Sequence, residues 1–308
     1  MGAISKPHSV IGVVMVALLL LSCTDADQAH TTLGATWEAT IEHATVSEAV
    51  GLAIVGQVLV VSDPQGGLIH RFSLDPTNRG EMMAGWSSGI ERPMHMEADK
   101  NGTLFLADYL SDQILLLARD GSLVISFGTS GSEQGQFDAP AGVAVGHDGS
   151  IYVADFNNHR VQRFDAEGRF VQHWGREGHE PGDFYYPTDV AVGPENCVYV
   201  ADAYNHRVQV FTPDGTFVTA WGRQGSGLGE FDVAIGLGVD TQGRVFVADQ
   251  FNHRIQVFDG QGEWLGSWGE HGSEPGQFDR PSDIAFDDAG LIYVADFGNA
   301  RVQVFSVQ

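Results

Sequence analysis

The sequence predicts an all-β chain folded as a six-bladed β-propeller of four-stranded blades. Three observations carry that prediction. A segment such as IYVADFNNHRVQRF recurs at a fixed interval: Asp155, Asp202, Asp249 and Asp296 follow one another at 47 residues, Asp108 lies 47 before Asp155, and Asp63 lies 45 before Asp108. Repeats of about 40–50 residues with several strands each are the signature of propeller blades. Each copy reads as four short runs rich in Val, Ile, Phe and Tyr, broken by Gly, Asp, Asn and Pro. Beyond the N-terminal leader no stretch carries a helical period.

Taken in chain order, the first element is not part of the fold. Lys6 sits in a short polar start, and Val10–Leu21 is almost wholly apolar. That run is too short to span a bilayer but suits the apolar core of a secretory signal. Leu20-Leu21-Ser22-Cys23 follows directly. It resembles the bacterial lipobox, which implies lipidation at Cys23 after removal of residues 1–22. Residues 23–34 then form a lipid-anchored linker and 35–308 the propeller. The resemblance implies an exported protein held to a membrane outside the cytoplasm, the outer membrane if the host has one, since Thr24 rather than Asp follows the cysteine. With Cys23 acylated, no intrachain disulfide is expected, because Cys197 is the other cysteine of two.

The repeat phase makes a further demand. The last copy ends after its third strand, at Phe305-Ser306-Val307-Gln308, whereas an unmatched segment, Ala35–Ile41, precedes the first copy. That segment is expected to supply the outer strand of the last blade and close the ring, which removes two exposed sheet edges. In the fourth copy the strands are expected at Asp189–Val192, Val198–Val200, Arg207–Phe211 and Phe217–Trp221, with Pro213-Asp214-Gly215 as a turn.

Asn158-His159-Arg160, Asn205-His206-Arg207 and Asn252-His253-Arg254, with their flanking VAD, QVF and WG elements, resemble the motif of the NHL repeats. The resemblance runs from about Val46 to the C-terminus. It implies the propeller fold, but not one activity, because a fold hosts many functions. A residue repeated in most blades reads as structural. Asp155 with Arg160 and Asp202 with Arg207 are expected to pair across a turn. His159, His206 and His253 are expected at the surface rather than around one metal, since equivalent turns radiate apart. Phe137, Phe184, Phe231 and Phe278 read as packing between blades.

Charge narrows the partners. The chain carries 16 Lys+Arg against 40 Asp+Glu, a net of −24. Such a surface repels phosphate backbones and anionic headgroups. No nucleic acid is expected as a partner, and no membrane contact except through the lipid. A monomer is expected. The common hydrolase, nucleotide-loop and zincin motifs are absent from the sequence.

The long fourth-to-first-strand links share one face with the second-to-third links, which makes that face the expected binding surface. Aligning the blades on Pro93, Pro140, Pro187 and Pro281 puts His95, Gly142, Asp189 and Asp283 at one channel position, with Gly236 and Gly51 in the remaining blades. His95, Asp189 and Asp283 are candidate ligands for a divalent cation, calcium or zinc, in the central channel. The intervening glycines are expected to leave room for a ligand. Met82, Met83, Met94 and Met96 around His95 raise copper as a weaker alternative. No other cofactor is expected. NHL-fold peptidyl-hydroxyglycine lyases place three zinc-binding histidines at the blade mouths, of which this sequence matches His95 alone. Gluconolactonase-like propellers, with a carboxylate-rich calcium site, match Asp189 and Asp283 better. The expected function is therefore a lipid-anchored scaffold for a protein, peptide or glycan on the long-loop face. A metal-dependent lyase or lactone hydrolase is the alternative, with no catalytic residue assigned.

Overall fold

The structure is a computed structural model that describes residues 33–87 and 89–307. The leader, Cys23 and the linker as far as residue 32 lie outside the described residues. Six four-stranded antiparallel sheets form the ring. Their innermost strands are Leu52–Ile54, Pro93–Ala98, Pro140–Val145, Pro187–Val192, Ala234–Val239 and Pro281–Phe286, for blades 1 to 6. Second and third strands are linked by the repeated VAD-to-NHR turn. In blades 4 to 6 this turn is a single 3-10 turn ending on a left-handed residue, His206, His253 or Ala300.

The ring closes as the repeat phase demands. Ala35–Glu42 pairs antiparallel with Arg301–Val307, from Ala35 opposite Val307 to Glu42 opposite Arg301, with one irregularity between Trp37 and Ala39. Ile41 is buried there with Val302, Val304 and Tyr293, against Leu52, Leu59 and Phe72 of blade 1. The first and last parts of the fold thus share one core.

The paired Asp and Arg of the repeat are joined, with both aspartates and Arg160 buried and Arg207 half-buried: Arg160 Nε donates to Asp155 Oδ2 at 2.8 Å, and Arg207 Nε to Asp202 Oδ2 at 2.7 Å. The pair does more than brace its own turn. Arg207 also donates to the carbonyls of His179, Glu180 and Asp183, in the long loop entering its blade. Gln209 Nε2 joins Asp183 O and Asp202 Oδ2, while its Oε1 accepts from Gly182 N. Asp202 Oδ1 accepts from Tyr185 N at 2.7 Å. Burial alone raises the pKa of Asp155, Asp202, Asp249 and Asp296, and these donors partly offset it. Blades 1 and 2 lack the arginine. Asp108 instead accepts from two amides, Glu91 N and Arg92 N, and Asp63 from Ser47 N and His70 Nε2.

The NHL histidines depart from the surface role expected of them. His159 is buried, and His206 and His253 are half-buried. Each Nδ1 accepts a backbone N–H from the next blade: Tyr186, Val233 and Arg280, all at 3.1 Å. Those three donors have φ near +60°, so the histidine holds a left-handed corner in place. Asp112 does the same for Ala139 N in the degenerate second blade. The four recurrent phenylalanines are fully buried as expected. Each sits where a Cβ on the WG glycine would stand; Phe231 lies 2.7 Å from that point at Gly222, whose φ is +104°. Only glycine suits both the space and the conformation.

Cys197 is buried just before Val198. The four methionines do not converge. Met82 and Met83 lie on the outer strand Met82–Trp86, whereas Met94 and Met96 flank His95 on an innermost strand. That separation removes the copper alternative.

Closure is testable by truncation. Deleting residues 33–41 unpairs Arg301–Val307 and exposes the Ile41 site, which alone is worth about 1.5–3 kcal/mol. Urea unfolding should show a loss of at least about 3 kcal/mol with the freed edge included; an unchanged midpoint would contradict closure by this strand.

Candidate functional site

The chemistry gathers at the axis. In blades 3 to 6 the innermost strand shifts register once, two residues from its start, as between Pro187 and Asp189 opposite Asp202 and Ala201. Such a bulge re-aims the side chain beside it. In blade 2 the irregular stretch is longer, from Pro93 to Met96, and takes in His95.

His95, Asp189 and Asp283 come together as expected, but deeper than the channel mouth, at 3–4% exposure. His95 Nδ1 stands 3.4 Å from Asp189 Oδ2 and 3.5 Å from Asp283 Oδ1. It has no hydrogen-bond partner. A tetrahedral ion bonded at about 2.1 Å to each ligand separates its ligands by roughly 3.4 Å. The spacing is thus long for a hydrogen bond and right for shared ligation, and the donors, one imidazole and two carboxylates, are types that zinc accepts.

The aspartates also hold the ring. Asp189 Oδ1 accepts from its own Val190 N, and Oδ2 from Leu237 N of blade 5. Asp283 does the same with Ile284 N and with Leu52 N of blade 1. His95 makes no such staple to blade 3. Glu97, two residues along the strand, does it instead by accepting from Val145 N at 2.7 Å. The intervening glycines have a different purpose from the one expected. A Cβ on Gly142 would stand 2.7 Å from the Asp189 Cα, and one on Gly51 or Gly236 would collide with a carbonyl oxygen of the following blade, Met94 O or Ser282 O. They admit a neighbouring strand rather than a ligand. The ring is therefore built of three blade pairs, with a glycine blade packed closely on each His or Asp blade.

Electrostatics in this cluster are strongly coupled. Burial alone would lower the His95 pKa, but the charges of Asp189 and Asp283 outweigh it and raise it to about 9. Burial raises the pKa of Asp189, opposed by His95. Burial also pushes Glu97 up to about 8, with Val145 N opposing and the two aspartates adding. Glu97 was missed in the sequence because no other blade repeats it.

The cluster divides the axis into two compartments. Towards the short-turn face lies a cavity of about 250 Å³ lined by Glu97, Leu52, Val143, Val192, Val239 and Phe286 among others. Towards the long-loop face lies a bowl of about 240 Å³, with His95, Thr188, Ser282 and Ile235 low in it and Arg92, Tyr109, Phe156, Tyr204, Gln250 and Phe297 around it. The wall residues follow the VAD aspartates: Tyr109, Phe156, Gln250 and Phe297 directly and Tyr204 two residues on. That position was the signal available in the sequence, and it went unread because it varies between blades. Phe156, Tyr186 and Tyr204 form an arc, with centroids 4.9 and 5.5 Å apart along it. Tyr204 is half exposed. The cluster of His253, His271 and Asp279 is less suited to a metal, because His253 Nδ1 is already occupied by Arg280 N.

The NHL-repeat family model matches residues 137–164, 184–211, 231–258 and 278–305. Each match runs from a buried phenylalanine to the end of a third strand. No curated protein is similar to the chain in sequence. Among solved structures it is similar to a streptogramin B lyase (13% identity, TM-score 0.62, covering 92% of this chain and 100% of that one). It is also similar to a gluconolactonase from Xanthomonas campestris (16%, 0.65, 87% and 89%). A protein of unknown function from Bacteroides thetaiotaomicron gives 15% identity and a TM-score of 0.69, covering 90% of this chain and 76% of that one. Identities this low show a shared fold alone.

The buried imidazole predicts a pH profile. A histidine whose pKa is raised contributes stability below its ordinary value of 6.5, and that contribution is lost as pH climbs to about 9. The raised Asp189 acts in the same sense, since its carboxylate is disfavoured by burial. In metal-free buffer the melting temperature should fall between pH 6.5 and 9, and His95→Gln should flatten that fall. Identical profiles for the two proteins would show that His95 is not cationic.

Proposed function

Because the chain belongs to the NHL-repeat β-propellers, a fold that serves both binding and catalysis, we propose that it is a binding scaffold whose ligand, a peptide, glycan or protein segment, enters the long-loop bowl. The observation that carries this reading is the aromatic wall of Phe156 and Tyr204, extended by Tyr186 behind them, around a bowl that mixes Thr188, Ser282 and His95 with apolar Val50, Ala141 and Ile235. Half-exposed aromatic rings around a concave, mostly apolar bowl with a few polar groups supply contact area and orientation at low entropic cost. The net charge of −24 disfavours phosphate-rich partners and agrees with a peptide or sugar.

A second reading is favoured by the convergence of His95, Asp189 and Asp283. Here the protein is a metal-dependent lyase or lactone hydrolase, and a zinc or calcium ion would be held by those three residues. Such an ion supplies Lewis acidity towards a carbonyl oxygen. The chain's own contribution is a rigid donor set: both aspartates are oriented by backbone amides, and His95 Nδ1 is left free of any other bond. Two structural neighbours, a streptogramin B lyase and a gluconolactonase, are enzymes that share this fold.

One experiment separates the two. Calorimetric titration of calcium, zinc and manganese is run on the parent and on Asp189→Asn/Asp283→Asn, beside a panel of peptides and glycans on the parent and on Phe156→Ala/Tyr204→Ala. The scaffold reading expects panel binding that the aromatic double variant weakens at least about tenfold. The catalytic reading expects an ion that binds the parent and not the aspartate variant. A parent that binds nothing in the panel overturns the first reading, and one that binds no ion overturns the second.

The lipid anchor and extracytoplasmic location are proposed from the leader and Cys23 alone. Two or more acyl chains hold a protein firmly where one is marginal. Peptide mapping of protein from the membrane fraction should show an acylated Cys23 and a Cys197 bonded elsewhere or reduced. A Cys23–Cys197 disulfide in freely soluble protein would overturn the anchor.

A further inference from the structure

Arg92 stands apart from most arginines of this acidic chain. Arg160, Arg207, Arg254 and Arg301 meet the buried VAD aspartates, and Arg163, Arg169, Arg176, Arg223, Arg244 and Arg280 each lie within an ion-pair distance of a carboxylate. Arg92 has no ion pair or side-chain hydrogen bond among the described residues. Its guanidinium lies over the Tyr109 ring, 5.4 Å from the centroid, at the wall of the long-loop bowl. Stacking holds the plane of a guanidinium while leaving its N–H edge able to donate. Arg92 is exposed at the pocket wall, so in a protein of net charge −24 it offers a cationic N–H edge to an acceptor on a ligand.

The rest of the bowl constrains what carries the acceptor. Thr188 Oγ1 and Ser282 Oγ spend their protons on Ile235 O and Val50 O, so each presents free lone pairs to a donor above it. Gln250 adds an amide to the wall. An apolar peptide side chain would use neither these remaining lone pairs nor the Gln250 amide, whereas a ligand carrying hydroxyl donors can. A pyranose ring offers hydroxyl donors to the floor and C–H faces to the aromatic arc, and its size suits a cavity of about 240 Å³.

We infer that the bowl binds a carboxylated sugar ring, of the hexuronic acid class, with its carboxylate on Arg92 and one ring face on Tyr204 and Phe156. The inference rests on the proposal that the bowl is the ligand site. It requires no ion on His95, and it assigns Arg92 a specificity role that the metal reading does not use.

The test uses galacturonate and glucuronate, galactose and glucose as neutral counterparts, and the dipeptide Ala-Phe as a non-sugar carboxylate, each titrated into the folded protein and followed by ligand-observed NMR. The acids should bind the parent at least about tenfold more tightly than the neutral sugars, the size of one charge-assisted fork. Arg92→Gln should abolish that preference with an unchanged melting temperature, Arg92→Lys should restore part of it, and Tyr204→Ala should weaken acid and neutral sugars alike. Equal binding of acids and neutral sugars would remove Arg92 from recognition while leaving the bowl as the site. Binding of the dipeptide alone would overturn the sugar class. If no probe binds, both the inference and the bowl reading fall, unless the glycan and peptide panel binds there, in which case only the inference does.

Discussion

Everything in this molecule hangs on a carboxylate buried at the end of each second strand. Six aspartates, Asp63, Asp108, Asp155, Asp202, Asp249 and Asp296, are fully buried, and each accepts a backbone N–H from the long loop that enters its own blade. An isolated carboxylate in that position would be prohibitive. In blades 3 to 6 Arg, Asn and Gln of the third-strand region turn it into a hub that fastens the turn, the strand and the loop together. Breaking such a buried pair by removing one partner typically costs about 3–5 kcal/mol. The loops that form the bowl are therefore rigid at their roots, and the aromatic rings they carry are positioned before any ligand arrives.

The same economy explains the axis. Six inner strands must converge closely, and three glycines allow three of the contacts while three acids, Asp189, Asp283 and Glu97, staple the others. His95 occupies the third equivalent position without performing the third staple. Its Nδ1 is buried beside two carboxylates with no hydrogen bond. The aspartates have a structural reason to exist; the imidazole does not share it. Of the three candidate ligands, His95 is the one whose presence a purely architectural account leaves unexplained.

Two competing uses of the axis follow from this division. The polar cluster is reached from the bowl through His95 and from the short-turn side through the cavity that Glu97 lines. A ligand in the bowl meets aromatic faces, hydroxyl lone pairs and Arg92 before it meets the carboxylates. An ion reaches the carboxylates without needing any of those. The two uses draw on different residues, so substitutions in the bowl and in the cluster can be read separately.

By itself the sequence determined the ring: the 47-residue period, the missing last strand and the unmatched Ala35–Ile41 together dictate six blades and their closure, because a repeat unit must bury its faces on its neighbours. It also determined that His95, Asp189 and Asp283 share one level, since equal phase in equal blades means equal height on the axis. The tertiary structure alone decided how deep they lie, that the glycines receive a neighbouring backbone, and that the NHL histidines hold left-handed corners of the next blade. It also assembled the bowl from residues that vary between blades. The physical reason is the same in each case. Periodicity reports what the blades have in common, whereas these features depend on contacts between unlike residues of different blades, which only the closed ring brings within reach.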